Sequence, residues 1–257
     1  MSLRILIVYS LNGNIVSPFI QEQIESLSKV GVDYQTFGIR GRGILGYLSN
    51  LSGLRRKIDE YKPDILHAHY GLAGLLAVLQ RKVPVIITFH GSDIYDRKNR
   101  ILSKMANYLA KDSIFVSQEM ADIVKSKSNN VIPCGVNLEV FAPMDKTHSR
   151  ELLSLDQDVK YVLFASSFNN AVKNSRLALD AVNIINVQGI RCELLELKGY
   201  SREGVSLFLN AADVALMTSF HEGSPQFIKE AMACNCPIVS TDVGDVRKIL
   251  DGTDGTF

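Results

Sequence analysis

Short apolar, β-branched runs alternate along the chain with longer segments in which apolar residues recur every three to four positions. This alternation is typical of parallel sheets whose strands are joined by crossover helices, so the sequence predicts an α/β protein. The first helix is predicted to begin with Ser17 as its N-cap and Pro18 at its first position. The predicted strands are residues 3–9, 32–37, 65–69, 83–89, 113–117, 130–133, 161–166, 191–197, 214–218 and 237–240.

The predicted strands fall into two groups, separated by a polar stretch after Pro143, MDKTHSRELLSLDQD. Six strands suit one doubly wound domain, and the strand at 161–166 would open a second. We therefore expect two Rossmann-like parallel-sheet domains, at residues 1–145 and 146–257. The last residues, DGTDGTF, are typical of a turn that leads into a further strand, so we expect the second domain to be truncated.

Composition narrows the possible partners. The 257 residues include 28 basic and 27 acidic side chains, a net charge of +1, which provides no broad positive field for nucleic acid and allows at most peripheral membrane contact. The apolar runs are shorter than the roughly 20 residues that a membrane span needs. The four cysteines form no CxxC pair, so we expect buried, reduced thiols, no metal site and a cytoplasmic protein.

Two glutamates carry the candidate chemistry. The stretch HEGSPQFIKEAMACNCPIV places Glu222 and Glu230 eight positions apart. Ser224 is a good N-cap and Pro225 suits the first helical position, which would put Glu222 in the turn before a helix and Glu230 inside it. The amides of the first turn, with the helix dipole, would then form an anion site suited to a diphosphate.

The glutamates have two interpretations. As ionised acceptors, Glu230 could bind the hydroxyls of a ribose, and Glu222 those of a sugar on the other side of the phosphates. Alternatively, Glu222 is a favourable charge near a helix start and Glu230 a solvated helix residue. The loop follows the predicted strand 214–218, and ligands of open α/β sheets bind at the carboxyl ends of strands, which favours a site.

Residues 211–250, AADVALMTSFHEGSPQFIKEAMACNCPIVSTDVGDVRKIL, resemble the retaining, nucleotide-sugar-dependent glycosyltransferases of family 4 (group 1). The resemblance extends to PDILHAHYG at 63–71, VPVIITFHGSDI at 83–94 and VIPCGVNLEVFAP at 131–143, in the expected order. It implies the GT-B fold, in which two Rossmann-like domains face each other across a cleft.

The resemblance also implies roles for individual residues around the donor. Glu230 would bind the ribose hydroxyls and Glu222 would lie beside the sugar ring. Because Pro225 has no N–H, the amides available to the diphosphate are those of Gly223, Ser224, Gln226 and Phe227.

A basic pair neutralises the leaving diphosphate in the family. Lys173 matches its lysine, whereas Ser167 stands where an arginine is usual, and Arg176 is a nearby alternative cation. In the first domain, His90 would lie beside the donor sugar. Gly13 is the one glycine of a loop that resembles the family's glycine-rich phosphate loop.

Two more histidines, His67 and His69, alternate on one predicted strand and so share a face. His69 is nearer to the carboxyl end and is the better site candidate, whereas His67 is expected to be structural.

The predicted function is transfer of a sugar from a nucleotide-diphosphate donor to a hydroxyl of a saccharide or lipid-linked saccharide, with retention of configuration, in polysaccharide or lipopolysaccharide biosynthesis. Its catalytic residues would be His90, Glu222 and Lys173. The resemblance implies neither a metal nor a resident cofactor, since the nucleotide sugar is a substrate.

Two rival classes share related folds. A dehydrogenase would show GxGxxG after a first strand, which is absent, and an epimerase would alter the sugar without an acceptor. The alternative that the sequence itself motivates, through Ser167 and the short second domain, is a catalytically inactive or truncated protein that binds nucleotide sugars.

Overall fold

A computed structural model describes residues 3–11, 16–126 and 130–253. The chain divides into two compact units, Met1–Cys134 and Gly135–Phe257. In the first unit, six parallel strands form one sheet in the order β2-β1-β3-β4-β5-β6. They are β1 (Arg4–Ser10), β2 (Asp33–Ile39), β3 (Ile65–His69), β4 (Val85–Phe89), β5 (Asp112–Phe115) and β6 (Asn130–Val131).

Helices connect these strands. They are α1 (Pro18–Lys29), α2 (Gly43–Leu48), α3 (Leu51–Tyr61), α4 (Gly71–Val78), α5 (Ser92–Tyr95), α6 (Arg97–Leu109) and α7 (Gln118–Val124). Strand alternation divides the core in two, because neighbouring residues point to opposite faces of the sheet. Leu6 and Val8 of β1 belong to the larger core, whereas Ile5 and Ile7 pack with α1.

The second unit contains a parallel sheet of four strands in the order β10-β9-β7-β8. Its strands are β7 (Lys160–Phe164), β8 (Cys192–Glu196), β9 (Val214–Met217) and β10 (Ile238–Ser240). Its α-helices are α8 (Lys146–Leu152), α9 (Ser175–Val187), α10 (Arg202–Ala211), α11 (Gln226–Ala233) and α12 (Val246–Leu250), and a 3₁₀ turn spans Ala171–Lys173. The structure contains a strand at each of the ten predicted places, so the predicted α/β class with two Rossmann-like parallel sheets is confirmed.

The division between the units lies before residue 135, upstream of the 145/146 boundary that the sequence suggested. Residues 135–145 belong to the second unit because Phe141 is fully buried in its core. Asn210 of α10 also holds this segment, donating to the Ala142 carbonyl at 3.1 Å and accepting from the Met144 N–H at 2.7 Å. Much of the polar stretch is helix α8 rather than a linker.

The four cysteines are free thiols. Cys192, Cys234 and Cys236 are buried as expected, whereas Cys134 is partly exposed. In the part of the chain that the structure describes, no helix has the length and apolar character needed to cross a membrane.

Candidate functional site

Two loops of the second unit meet at the carboxyl ends of the neighbouring strands β7 and β9. The Thr218 hydroxyl, just after β9, lies 2.8 Å from the carbonyl of Lys173 and 3.0 Å from that of Asn174. The Phe220 N–H donates to the carbonyl of Val172 at 2.9 Å. These bonds join the loop that carries Glu222 to the 3₁₀ turn that carries Lys173.

Lys173 and Glu222 form an ion pair in this joined loop structure. The Nζ atom of Lys173 donates to Oε1 of Glu222 at 2.6 Å, and the two side chains are only 20% and 15% exposed. A charged hydrogen bond that is partly removed from water is stronger and better oriented than one on an open surface. The structure therefore brings together an ammonium and a carboxylate that the sequence suggested for different parts of a donor.

Glu230 lies inside α11 and is buried, with 3% of its surface exposed. Its Oε1 accepts a hydrogen bond from Nη2 of Arg202 at 2.7 Å. The Arg202 guanidinium also lies 4.6 Å from the centre of the Phe141 ring, a cation–π contact. The interpretation of Glu230 as a solvated helix residue is therefore wrong: it is a buried carboxylate with a cationic partner.

Arg202 is the residue that sequence reasoning missed. It is the first residue of α10, which follows the carboxyl end of β8. The available signal was a cation at the start of a helix on the ligand-binding edge of a parallel sheet, where the helix dipole disfavours positive charge.

Helix α11 begins one residue later than predicted, at Gln226, with Pro225 as its N-cap. The prediction that the Ser224 side chain caps this helix is wrong. Its hydroxyl accepts a hydrogen bond from Lys229 Nζ at 3.1 Å and hydrogen-bonds the Asp245 carboxylate. Pro225 has φ −68° and ψ 118°, so the chain is still extended at this residue and turns into the helix only after it.

The amides expected to meet a diphosphate lie around this helix start. Gly223 is buried and precedes the helix, and Gln226 and Phe227 are its first two residues. First-turn N–H groups have no partner within their own helix, so those of Gln226 and Phe227 suit an anion. The Phe227 ring packs in the core and the Gln226 side chain donates to the Gly135 carbonyl at 2.7 Å, which holds this turn in place.

Gly244 supports the site loop from the following segment. Its φ is +61°, and a Cβ at this position would lie 2.5 Å from the backbone carbonyl oxygen of Gly223 and 2.7 Å from that of Glu222. The Thr241 hydroxyl adds a hydrogen bond to the Ser219 carbonyl at 2.8 Å. The position of Glu222 therefore depends on a backbone contact that only glycine permits.

Gly244→Ala is expected to lower the free energy of unfolding of the second unit by about 2 kcal/mol or more, because strained φ and steric overlap add. Gly189→Ala is the matched control, since Gly189 has φ +85° but no atom within 4 Å of the point where a Cβ would lie. Urea unfolding should show a loss of about 1 kcal/mol for the control. Equal losses in the two variants would contradict the proposed backbone contact.

Ser167 does not supply the charge of the arginine that the family resemblance implies. Its hydroxyl donates to Glu196 Oε1 at 2.8 Å, and the Phe168 N–H donates to the same oxygen at 2.6 Å. These two hydrogen bonds lower the pKa of Glu196. Arg176 pairs at 3.5 Å with Asp180 on the exposed surface of α9, so Lys173 is the cation that contacts Glu222.

His90 lies just after β4 in the first unit, within a group of rings. Its ring centre is 4.7 Å from those of Phe19 and Tyr70 and 5.2 Å from that of His69. The Nε2 atom of His90 is 3.0 Å from Nδ1 of His69, and His67 Nε2 is 2.8 Å from the Thr88 hydroxyl. The three histidines thus form one cluster.

Gly13, the other residue of this unit that was predicted for the site, lies outside the residues that the structure describes.

Burial keeps these histidines neutral. It lowers the pKa of His67 to about 4 and that of His90 to about 3, and it also lowers the pKa of His69 well below its usual value. At neutral pH the His90 ring can therefore donate or accept a hydrogen bond but carries no charge. Nearby, burial raises the pKa of Asp93 to about 6, although this carboxyl accepts the N–H groups of Gly71, His90 and Gly91.

NMR titration of the five histidines checks this neutrality. We expect the ring signals of His67, His69 and His90 to stay at neutral positions from pH 8 down to about pH 5, since their folded-state pKa values lie lower. Single His→Gln variants assign the signals. A midpoint near or above pH 6 for any of the three would contradict the expectation.

Among the residues that the structure describes, no three His, Cys, Asp or Glu side chains are arranged to hold a metal ion.

Two protein families match the chain. The family described as "Glycosyltransferase Family 4" matches residues 15–140, and the one described as "Glycosyl transferases group 1" matches residues 184–257. The second match contains Glu222 and Glu230, and the first contains His90.

Curated relatives are glycosyltransferases. A Bacillus subtilis glycosyltransferase named for teichuronic acid biosynthesis, TuaC, is 27% identical over 73% of this chain and 55% of its own length. D-inositol 3-phosphate glycosyltransferase from Streptosporangium roseum is 25% identical over 80% of this chain and 61% of its own. The glycosyltransferase MJ1178 of Methanocaldococcus jannaschii is 28% identical over 83% of this chain and 66% of its own length. The chain thus spans between about half and two thirds of the length of these relatives.

Solved structures share the fold. Sucrose-phosphate synthase from Thermosynechococcus elongatus superposes with a TM-score of 0.75 at 16% identity, covering 97% of this chain and 84% of its own. Anabaena Alr3699/HepE, solved with UDP and glucose, has a TM-score of 0.69 at 15% identity, and the match covers 98% of this chain and 83% of the Anabaena chain. These likenesses confirm the GT-B fold class, and the two family matches together cover most of the sequence. The chain belongs to the family 4, group 1 glycosyltransferases.

Proposed function

We propose that this protein transfers a sugar from a nucleotide-diphosphate donor to a hydroxyl of a saccharide or lipid-linked saccharide, with retention of configuration. The observation that carries the proposal is the arrangement in the second unit. An oriented ammonium, Lys173, and two carboxylates, Glu222 and Glu230, flank the loop and helix start where an anion would bind.

Donor binding follows from the chemistry of these groups. A diphosphate would accept hydrogen bonds from the first-turn amides of α11 and from Lys173. Glu230 would accept hydrogen bonds from the vicinal hydroxyls of the ribose, with its carboxylate orientation set by Arg202 at 2.7 Å. Glu222 would bind hydroxyls of the transferred sugar. We propose His90, in the first unit, as a neutral hydrogen-bonding group.

The transfer step breaks the bond between the anomeric carbon and the diphosphate oxygen and forms a bond from that carbon to the acceptor oxygen. The acceptor proton passes to an oxygen of the departing diphosphate. Lys173 and the positive end of α11 stabilise the charge that develops on this leaving group. We accordingly propose that turnover requires neither a bound metal nor a resident cofactor.

The biological setting that we propose is polysaccharide or lipopolysaccharide assembly in the cytoplasm. The support is the relative named for teichuronic acid biosynthesis.

A second candidate is a protein that binds nucleotide sugars without transferring them. Ser167 favours it, because the hydroxyl bonds Glu196 and contributes no positive charge to a leaving diphosphate. An epimerase would also bind a nucleotide sugar without transferring the sugar to an acceptor. UDP-GlcNAc 2-epimerase from Methanocaldococcus jannaschii shares the fold, with a TM-score of 0.58 at 13% identity. The match covers 98% of this chain and 87% of the epimerase chain.

Calorimetric titration with UDP, GDP, ADP and dTDP, followed by product analysis with sugar donors of the base that binds, tests the proposal. We expect saturable binding of one of the four nucleotides in the calorimetric titration. In the product analysis, the sugar donor should release that nucleotide only when an acceptor is present. NMR of the product should show the anomeric configuration of the donor. Binding without release would identify the second candidate, and an altered sugar without acceptor would identify an epimerase. Arg176→Ala, an exposed change on α9, is the control variant.

A further inference from the structure

The Asp93 carboxylate joins two loops of the first unit. Its Oδ1 atom accepts hydrogen bonds from the N–H groups of His90 at 3.2 Å and Gly91 at 2.9 Å, and its Oδ2 atom accepts one from the Gly71 N–H at 3.1 Å. Gly71 begins α4 just after β3, whereas His90 and Gly91 follow β4, the neighbouring strand. One side chain therefore fixes the backbone at the carboxyl ends of two adjacent strands.

Asp93 lies in the interior of the unit, with 5% of its surface exposed. Its backbone carbonyl accepts a hydrogen bond from the Ser103 hydroxyl of α6 at 2.8 Å, so the residue is also held from a second side. Hydrogen bonds from backbone N–H groups to an ionised carboxylate are shorter and stronger than those between neutral groups. Asp93 therefore holds its surroundings through the backbone of both loops.

The backbone beside these hydrogen bonds has an unusual conformation. Tyr70, which precedes Gly71, has φ +72° and ψ 152°, a combination that is essentially restricted to glycine. Gly91 has φ +136° and ψ −71°, which its lack of a side chain permits. Strained residues such as Tyr70 persist only where the surrounding contacts hold them, and they occur preferentially at functional sites. The Asp93 carboxylate supplies such a contact directly beside Tyr70.

The two loops carry rings of the histidine cluster. The ring centres of Tyr70 and His90 lie 4.7 Å apart, and His90 Nε2 is 3.0 Å from Nδ1 of His69. Tyr70 and His90 are partly exposed at the carboxyl edge of the sheet, where ligands of open α/β sheets bind. The contacts of Asp93 thus set the backbone from which both rings project.

We propose that Asp93 is a positioning residue for sugar transfer, which holds the His90 ring in the orientation that the reaction requires. This inference rests on the proposed function, in which His90 is a neutral hydrogen-bonding group. Asp93 acts through the backbone of His90 and Gly71 rather than on a substrate. Such an indirect contact can control a rate, because misplacing a group by about 1 Å can lower turnover by about 100-fold.

Asp93→Asn tests the positioning. Asparagine keeps the size of the side chain but replaces one acceptor oxygen with an NH₂ donor, which would face an N–H group of one of the two loops. We expect kcat for sugar transfer to fall by about 10- to 100-fold, and the His90 ring signals in NMR spectra to move from their wild-type positions. Measurements at pH 8 keep the wild-type carboxylate ionised, since burial raises the pKa of Asp93 to about 6. Affinity for the nucleotide diphosphate should stay within about twofold, because the groups proposed to bind it belong to the second unit.

Ser103→Ala is the matched control, because it removes a buried hydrogen bond to the Asp93 backbone and leaves the carboxylate contacts in place. It should lower stability but leave kcat within about twofold and the His90 signals at their wild-type positions. Asp93→Glu keeps both acceptor oxygens but displaces them by one methylene. It should give smaller changes in the same direction, and it carries the test if Asp93→Asn does not fold. The signal of His148, an exposed ring of the second unit, is the internal reference.

The proposal requires that kcat and the His90 signals change together in a folded variant. Unchanged His90 signals, a wild-type kcat, or an equal loss of kcat in Ser103→Ala would each overturn it. If the wild type transfers no sugar to any acceptor, the proposed function itself fails. Unchanged His90 signals in Asp93→Asn would in that case still exclude positioning by Asp93.

Discussion

Replacing Lys173 with alanine is expected to lower kcat for sugar transfer by about 100- to 1,000-fold, the usual effect of removing one preorganised charge from a leaving group. Its ammonium is held 2.6 Å from Glu222 by a turn whose carbonyl accepts from Thr218, so little reorganisation is needed as charge develops on the diphosphate. Initial rates of nucleotide diphosphate release, at saturating donor and acceptor, measure the effect.

Two variants make this result specific. Lys173→Arg keeps the positive charge and should recover part of the rate, whereas Arg176→Ala removes an exposed cation of α9 and should leave the rate within about twofold. Because Lys173→Ala also leaves the Glu222 carboxylate without this partner, unfolding curves must first show a folded protein. A folded Lys173→Ala protein that retains more than about a fifth of the wild-type kcat would contradict the proposed role.

The order and type of the secondary-structure elements were predictable because most strands, such as β1 and β4, are short runs of apolar and β-branched residues. The finer features were not. Ser224 followed by Pro225 satisfies the sequence preferences of a helix start, but the Ser224 hydroxyl bonds Lys229 and Asp245 instead. The sequence suggested the 145/146 boundary from the polar stretch after Pro143, but that stretch contains helix α8, and the two units divide before residue 135.

The site was predictable as a set of residues but not as a set of contacts. Lys173 and Glu222 are 49 positions apart, and Arg202 and Glu230 are 28 apart. The first pair meets because β7 and β9 are neighbours in the sheet, although β8 lies between them in sequence. The second pair meets because α10 and α11 pack into one core. No periodicity in the sequence contains the strand order or this helix packing, so the partner of Glu230 was missed.

The histidines show the same limit in the first unit. Alternation along β3 predicted that His67 and His69 share a face, but their contacts depend on β4, where His67 meets Thr88 and His69 meets His90. The low pKa values of all three follow from this shared burial. His90 is consequently a candidate for hydrogen bonding rather than for charge stabilisation.

Glu230→Gln is expected to weaken nucleotide diphosphate binding by about 10- to 100-fold, since hydrogen bonds to a charged group contribute about 1.5–3 kcal/mol. Glutamine keeps the size of the side chain but removes the negative charge that pairs with Arg202, whose Nη2 atom lies 2.7 Å from Oε1 of Glu230. Calorimetry with the nucleotide diphosphate that the wild type binds measures the change. Met232→Leu, at an exposed position farther along α11, is the control and should keep the wild-type affinity.

A double-variant cycle separates recognition by Glu230 from its structural pairing with Arg202. Arg202→Met keeps an apolar contact to Phe141 but removes the guanidinium, so it tests whether the carboxylate binds the nucleotide without its partner. If Arg202 orients Glu230, the two single variants should each weaken binding and the double variant should be no weaker than Glu230→Gln alone, because the pair acts as a unit. Additive losses would mean that Arg202 contacts the nucleotide independently. Wild-type affinity in Glu230→Gln would show that the buried carboxylate serves the fold and not the donor.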